Sequence, residues 1–151
     1  MKIAVCGRAK PCRTPDELRQ AGFDEVWTVG VAKENGYDRY YELHGMETTH
    51  DESEVVRIPH NPVYQYAREN ALPINNSISV MLLDAYLSGA TKLLVEGCPM
   101  CSTYEYREQK PAMAMVIGFL KGKGIETEWS EGPDSTDYGQ TADFESALKI
   151  T

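Results

Sequence analysis

The 151-residue chain is long enough for one domain with a single sizeable hydrophobic core. It has 42% hydrophobic and 25% charged residues, as globular proteins do, and its formal net charge of −8 argues against broad binding to nucleic-acid phosphates. No apolar run approaches the roughly 20 residues that span a bilayer, and the apolar start is too short for a signal peptide. We therefore expect a cytoplasmic protein with no membrane segment.

The first half of the chain alternates predicted strands with short helices. Mainly apolar stretches predict strands over residues 2–6, 25–29, 38–43 and 55–58. Thr14 and Pro15 are typical of a helix start, because threonine caps the first amides and proline suits the first helical position. Asn61 and Pro62 predict a second helix in the same way. Residues 47–54 are polar and are expected to form a surface loop.

The second half predicts two longer helices, each followed by a strand. Asn76 or Ser77 caps the first of these helices, whose apolar residues recur at helical spacing, and Gly89 ends it. The later elements are a strand over 92–97, a loop carrying two tyrosines, a buried helix over 111–120 and a strand over 125–129. The apolar helix over 111–120 could also form a homo-oligomer interface.

Strands separated by helices predict an α/β fold: a Rossmann-like three-layer domain with a mostly parallel sheet flanked by helices. We expect this single domain to occupy residues 1–130, with an acidic tail over residues 131–151. In such folds ligands bind beyond the carboxyl ends of the strands. The loops that follow the predicted strands are therefore the expected binding region.

Three segments in the second half resemble, in order and spacing, a set of small phage-encoded proteins. They read NSISVM (76–81), SGATKLLVEG (88–97) and EYREQKP (105–111), and the earlier segment YYELH (40–44) resembles the same set. Those proteins are similar to bacterial sialyltransferases that use a CMP-sugar donor, and to archaeal pterin diphosphokinases. The resemblance implies a Rossmann-like, nucleotide-binding protein of phage type, with a glycosyltransferase-like activity on a nucleotide sugar.

The resemblance also implies which residues contact the nucleotide or nucleotide-sugar ligand. They are Gly7, Asn76, Ser77, Gly97, Tyr104 and Tyr106. A phenol can donate a hydrogen bond to a phosphate oxygen, and helix-start amides favour an anion. For the residues at the helix start, simple capping is an equally good interpretation. Tyrosines in loops also often just cover the core.

The loop after the first strand carries three cations, Arg8, Lys10 and Arg13, which is unusual in an acidic protein. They could clamp a diphosphate, with Arg8 beside the glycine as the predicted nucleotide contact. Alternatively, they are solvated surface charges.

A general base is the weakest part of the enzymatic interpretation. His44 and His60 each end a predicted strand, and an imidazole titrates near neutrality. We predict His44 as the catalytic residue because it lies in the matching segment, although a histidine can also simply close a strand; we assign no role to His50. The chain has no histidine after His60, where the sialyltransferases carry their base, so the alternative is a non-catalytic binder or sequesterer of a nucleotide signal.

The four cysteines are Cys6, Cys12, Cys98 and Cys101. The C-x-x-C pair could be redox-active, or the four could bind zinc. However, the spacing of Cys6 and Cys12 is not typical of zinc ligands, so we predict thiols without metal. We predict no cofactor, since no pair of carboxylates is placed as a Mg²⁺-dependent diphosphokinase would need.

Overall fold

The computed structural model describes residues 1–30, 32–59, 62–100 and 104–132, and contains six parallel strands in one sheet. The strands are β1 (Lys2–Cys6), β2 (Glu25–Val29), β3 (Arg39–Tyr41), β4 (Val55–Val56), β5 (Lys92–Glu96) and β6 (Glu126–Trp129). The helices are α1 (Pro15–Gln20), α2 (Val63–Glu69), α3 (Ser77–Leu87) and α4 (Tyr104–Gly122). The strand order is β4-β3-β2-β1-β5-β6, which confirms the predicted Rossmann-like α/β fold.

Alternating side chains in the strands build two separate cores, one on each face of the sheet. In β1, Ile3 and Val5 point to one face, where they join a large cluster that includes side chains of α2, α3 and α4. Ala4 and Cys6 point to the opposite face, where they join a smaller cluster with Leu18 of α1. The sheet is therefore the middle layer of three, as predicted.

Two helix starts follow the predicted capping chemistry. The Thr14 hydroxyl accepts a hydrogen bond from the Glu17 amide at 3.2 Å, and the Glu17 carboxylate accepts one from the Thr14 amide at 2.8 Å. Asn76, rather than Ser77, caps α3, since its side-chain oxygen accepts from the Ser79 amide at 2.8 Å. For α2, Pro62 precedes the helix without a side-chain cap, and the predicted cap Asn61 lies outside the described residues.

The prediction of a loop containing Tyr104 and Tyr106 is wrong, because α4 begins at Tyr104 and continues through Pro111. Residues 105–110 are rich in glutamate, arginine, glutamine and lysine, which favour helix. An interior proline removes one helical hydrogen bond, and here the surrounding helix persists in spite of that loss. The two tyrosines therefore lie in the first turn of a helix; their side chains lie outside the described part.

The third and fourth strands are shorter than predicted. β3 stops at Tyr41 because the buried Glu42 side chain accepts hydrogen bonds from the amides of His44 and Met46, which turns the chain. β4 pairs with β3 over only two residues. Among the described residues, no helix is both long and apolar enough to cross a membrane.

Candidate functional site

The candidate site lies where the chain leaves the carboxyl ends of β1 and β5. These strands are neighbours, but β1 continues through α1 to β2 on one side, while β5 continues through α4 to β6 on the other. Such a reversal of strand order leaves a crevice between the diverging loops, and ligands of open α/β sheets bind there. Gly7 and Gly97, two predicted nucleotide contacts, are the first residues after these two strands.

Gly7 and Gly97 allow the two loops to approach closely. The Gly7 amide donates to the Glu96 carbonyl at 2.8 Å, and the Ala9 amide donates to the Gly97 carbonyl at 3.0 Å. A Cβ on Gly7 would lie 2.2 Å from the Gly97 oxygen and 2.3 Å from Cys98 Sγ. Packing therefore requires glycine at position 7, and the φ of +73° favours glycine at position 97. The contact of both glycines with a nucleotide stays a prediction.

A carboxylate–guanidinium pair joins the two loops. Glu96, at the end of β5, accepts hydrogen bonds from Arg13 Nε at 3.0 Å, Arg13 Nη2 at 2.8 Å and the Arg13 amide at 3.0 Å. Burial alone raises the pKa of Glu96, but these hydrogen bonds and the charge of Arg13 outweigh it and hold the pKa below the ordinary value of 4.5. The hydrogen bond to Glu96 raises the pKa of Arg13 in turn.

This pair should make part of the fold stability depend on pH. Because the folded-state pKa of Glu96 is depressed, its contribution is present above about pH 4.5 and is lost as pH falls through the folded-state value. We expect Glu96→Gln to lower the free energy of unfolding by about 1 kcal/mol at pH 7, a figure reduced for the partial exposure of Arg13. The difference from the parent protein should shrink as pH is lowered to about 3.

Urea titrations at both pH values measure this effect. Glu128→Gln, on the exposed surface of β6, is the matched control and should change stability little at neutral pH. A deficit of Glu96→Gln that is the same at both pH values would contradict the assignment of an ionised, stabilising Glu96.

The three cations of the first loop do not form a clamp. Arg13 is committed to Glu96, and Lys10 pairs with Glu34 at 3.6 Å on the surface. Arg8 is exposed and forms no ion pair with any residue that the structure describes. Of the three, Arg8 is thus the cation that is available to a ligand anion, in keeping with its place among the predicted contacts.

The first residues of α3 approach the same edge of the sheet. The helix precedes β5 in the chain and runs antiparallel to it for 11 residues, a length of about 16 Å. The start of α3 therefore lies toward the carboxyl end of β5. Both polar groups of Asn76 have partners: the oxygen caps Ser79, and the nitrogen donates to Asn75 at 3.0 Å. The half-buried hydroxyl of Ser77 has no partner among the described residues, which leaves it free to contact a ligand.

His44 is exposed just beyond β3, at the same edge of the sheet as the candidate site. Two strand spacings separate β3 from β1, or about 10 Å. His44 therefore lies beyond the same edge of the sheet as the candidate site, and its role as a base stays a prediction; His60 lies outside the described residues.

Three thiols lie around the crevice. Cys12 Sγ is 3.8 Å from a carboxylate oxygen of Glu96, and Cys98 Sγ is 3.8 Å from the Glu96 carbonyl oxygen. Cys6, Cys12 and Cys98 are all free thiols, and no group of three potential metal ligands is found among the residues described. Cys101, and with it the C-x-x-C pair, lies outside that part.

Sequence reasoning missed two half-buried side chains near the crevice, those of Trp129 and Glu131. Cys98 is held by the Trp129 indole, which donates to its carbonyl at 2.8 Å, and by Glu131, which accepts from its amide. Burial raises the pKa of Glu131. Nearby, Met100 is buried with φ of +57°, a left-handed conformation that is strained for a residue other than glycine and recurs at functional sites. Nothing in the sequence around Trp129 and Glu131 indicated that these residues hold the backbone of Cys98.

His50 was also missed, because it stands in a polar segment that reads as a surface loop. In the structure it is buried, its ring stacks on that of Tyr40 with centroids 3.6 Å apart, and its Nε2 donates to the Ala32 carbonyl. This histidine holds the loop after β2 against the loop after β3. Its role is therefore to shape the edge of the sheet.

No protein-family model, curated protein or solved structure matches this chain. The resemblance to sialyltransferase-like phage proteins accordingly remains a prediction.

Proposed function

We propose that the protein binds a nucleotide in the crevice between the loops that follow β1 and β5. The reversal of strand order at this point carries the proposal, since this is where open parallel sheets of this type receive their ligands. The two glycines support it, because they bring backbone groups of both loops to the rim of the crevice.

The polar groups without partners at this edge suit an anionic ligand. Arg8 offers a guanidinium that no described residue pairs, and a guanidinium can bind phosphate in a bidentate manner. Ser77 adds a free hydroxyl at the start of α3, where the helix dipole favours negative charge. A nucleotide with one or two phosphates supplies such charge, together with a base that can lie along the sheet edge.

Transfer of a glycosyl group from a nucleotide sugar is the second candidate. Its support is His44, which is exposed at the same edge of the sheet, so a bound sugar could lie between the crevice and this imidazole. His44 would take the proton of the acceptor hydroxyl. Without turnover, the same site would serve to bind or sequester the nucleotide.

Thermal unfolding with a panel of CMP, UDP and GDP, each free and as a sugar conjugate, tests both candidates. A ligand present at ten times its Kd should stabilise the protein by about 1.4 kcal/mol. Arg8→Ala should weaken that ligand's stabilisation, whereas Arg68→Ala, an exposed arginine on α2, is the matched control and should not. If no nucleotide stabilises the protein, the proposal is wrong.

Release of free nucleotide from the stabilising sugar conjugate separates the enzyme from the binder. Turnover that His44→Ala abolishes while the thermal shift persists would support glycosyl transfer or donor hydrolysis. Stabilisation without turnover would leave a nucleotide-binding protein. Turnover unchanged in His44→Ala would remove His44 as the base.

A further inference from the structure

An open cavity of about 210 Å³ lies on the α1 face of the sheet, beside the crevice. Its walls come from the loop after β1, the start of α1 and residues 34–37, which follow β2. The loop after β1 therefore borders both the cavity and the crevice. Pockets for drug-sized ligands typically measure about 300–1,000 Å³, so this cavity has room for one small ring rather than for a whole nucleotide.

Hydrogen bonds within the protein hold the wall that follows β2 in place. The Tyr40 hydroxyl donates to the Glu34 carbonyl and accepts from the Tyr37 amide, both at 3.3 Å. The Arg19 guanidinium donates to the Gly36 carbonyl at 2.7 Å. The shape of the cavity is therefore set by the fold before a ligand arrives.

Tyr37 forms the buried wall of this cavity. Only 8% of the residue is exposed, and its ring packs edge-on against that of Tyr40, with centroids 5.6 Å apart. Its hydroxyl has no hydrogen-bond partner in the part of the chain that the structure describes, and it faces the open space of the cavity. Because buried phenols usually form a hydrogen bond, this hydroxyl is the group that a ligand in the cavity would satisfy.

The charges around the cavity balance one another, which disfavours a phosphate at this place. Two cations, Lys10 and Arg13, stand beside two carboxylates, Asp16 and Glu34. Arg13 is committed to Glu96, and Lys10 lies 3.6 Å from a carboxylate oxygen of Glu34. Since a carboxylate accepts several hydrogen bonds, Glu34 retains capacity for further donors. The walls thus suit a neutral group that carries hydroxyls.

We propose that the cavity binds the ribose of the nucleotide, whose hydroxyls form hydrogen bonds with the Tyr37 hydroxyl and the Glu34 carboxylate. This inference rests on the proposed nucleotide binding, because it assigns the phosphates to the crevice and the sugar to the neighbouring cavity. Arg8 and the cavity-lining Lys10 belong to the same loop, so one ligand can reach both places.

A nucleobase would fit this cavity less well than a ribose. Sites that bind bases commonly offer an aromatic face for stacking. Tyr37 is the aromatic side chain among the described lining residues, and its ring is already packed against Tyr40 and the cluster that contains Leu18. The hydroxyl is therefore the part of Tyr37 that is offered to a ligand.

Removal of single ribose hydroxyls tests the proposal without any change to the protein. CMP, UDP and GDP are each compared with their 2′-deoxy and 3′-deoxy forms by isothermal titration calorimetry. For a nucleotide that binds, we expect at least one deoxy form to bind about tenfold more weakly, because a protein group is left without its partner. Equal affinities for all three forms would overturn the ribose assignment and leave nucleotide binding intact. Absence of binding by every nucleotide would overturn both.

Tyr37→Phe separates this cavity from other sources of discrimination. The phenyl ring retains the packing against Tyr40, and only the hydroxyl is lost. We expect the variant to bind the ribonucleotide about tenfold more weakly, and to discriminate no longer against the deoxy form that lacks the hydroxyl bound by Tyr37. Tyr64→Phe, on the exposed surface of α2, is the matched control and should keep the discrimination of the parent protein. Discrimination that is unchanged in Tyr37→Phe would contradict the assignment.

Discussion

Gly7→Ala is expected to lower the free energy of unfolding by about 3 kcal/mol, the upper end of the usual cost of adding a carbon atom to a packed interior. The added Cβ would lie 2.2 Å from the Gly97 carbonyl oxygen and 2.3 Å from Cys98 Sγ. The oxygen belongs to backbone that accepts a hydrogen bond from Ala9, so it cannot move without disrupting the contact between the two loops. The variant should therefore separate these loops as well as lose stability.

Gly118→Ala is the matched control for this substitution. Gly118 lies inside α4, is exposed, and has nothing within 4 Å of an added Cβ. Alanine should therefore stabilise the protein by about 0.5–1 kcal/mol, the ordinary gain over glycine in a helix. Chemical denaturation of both variants measures the difference. A Gly7→Ala protein as stable as the parent would show that the loops are not in the close contact described here.

The second large effect is expected at the buried pair of Tyr41 and Asp84. The Tyr41 hydroxyl donates to the Asp84 carboxyl at 2.6 Å, and both residues are almost fully buried between the sheet and α3. Tyr41→Phe removes the hydroxyl that donates to Asp84. Because Asp84 is buried, water cannot replace this hydrogen bond. We expect the free energy of unfolding to fall by about 2 kcal/mol, as is usual for hydrogen bonds to acidic groups in an interior.

Tyr64→Phe is the control, because Tyr64 is exposed on α2 and should lose less than about 0.5 kcal/mol. A double-mutant cycle with Asp84→Asn then isolates the pair from any other partner of Asp84. We expect a coupling energy of about 1–2 kcal/mol. Additive effects of the two substitutions would show that the hydroxyl and the carboxyl do not stabilise one another.

These two contacts explain how the crevice is positioned. Tyr41 ties the end of β3 to α3, the helix whose start lies toward the carboxyl edge of the sheet, while Gly7 sets the separation of the loops after β1 and β5. The loop between Gly7 and Arg13 also contains the proposed nucleotide contact Arg8.

The location of the candidate site could be predicted from the sequence, but its internal pairings could not. Strands that end in glycine and alternate with helices point to one edge of a parallel sheet. Whether a cation is available to a ligand depends on its ion-pair partner, and that partner can be distant in the sequence. Arg13 meets Glu96 only because β1 and β5 become neighbours, and this contact leaves Arg8 as the available cation.

Local physical chemistry determined the elements of this protein: mainly apolar stretches set the strands, and capping by Thr14 and Asn76 set two helix starts. Tertiary structure decided the rest. Pairing of distant strands created the crevice, and packing on the α1 face placed Cys12 against the cluster that contains Cys6. Burial also made His50 a structural residue, although its polar neighbours indicate a surface loop. Burial and long-range contacts depend on the whole fold, so no short stretch of sequence carries them.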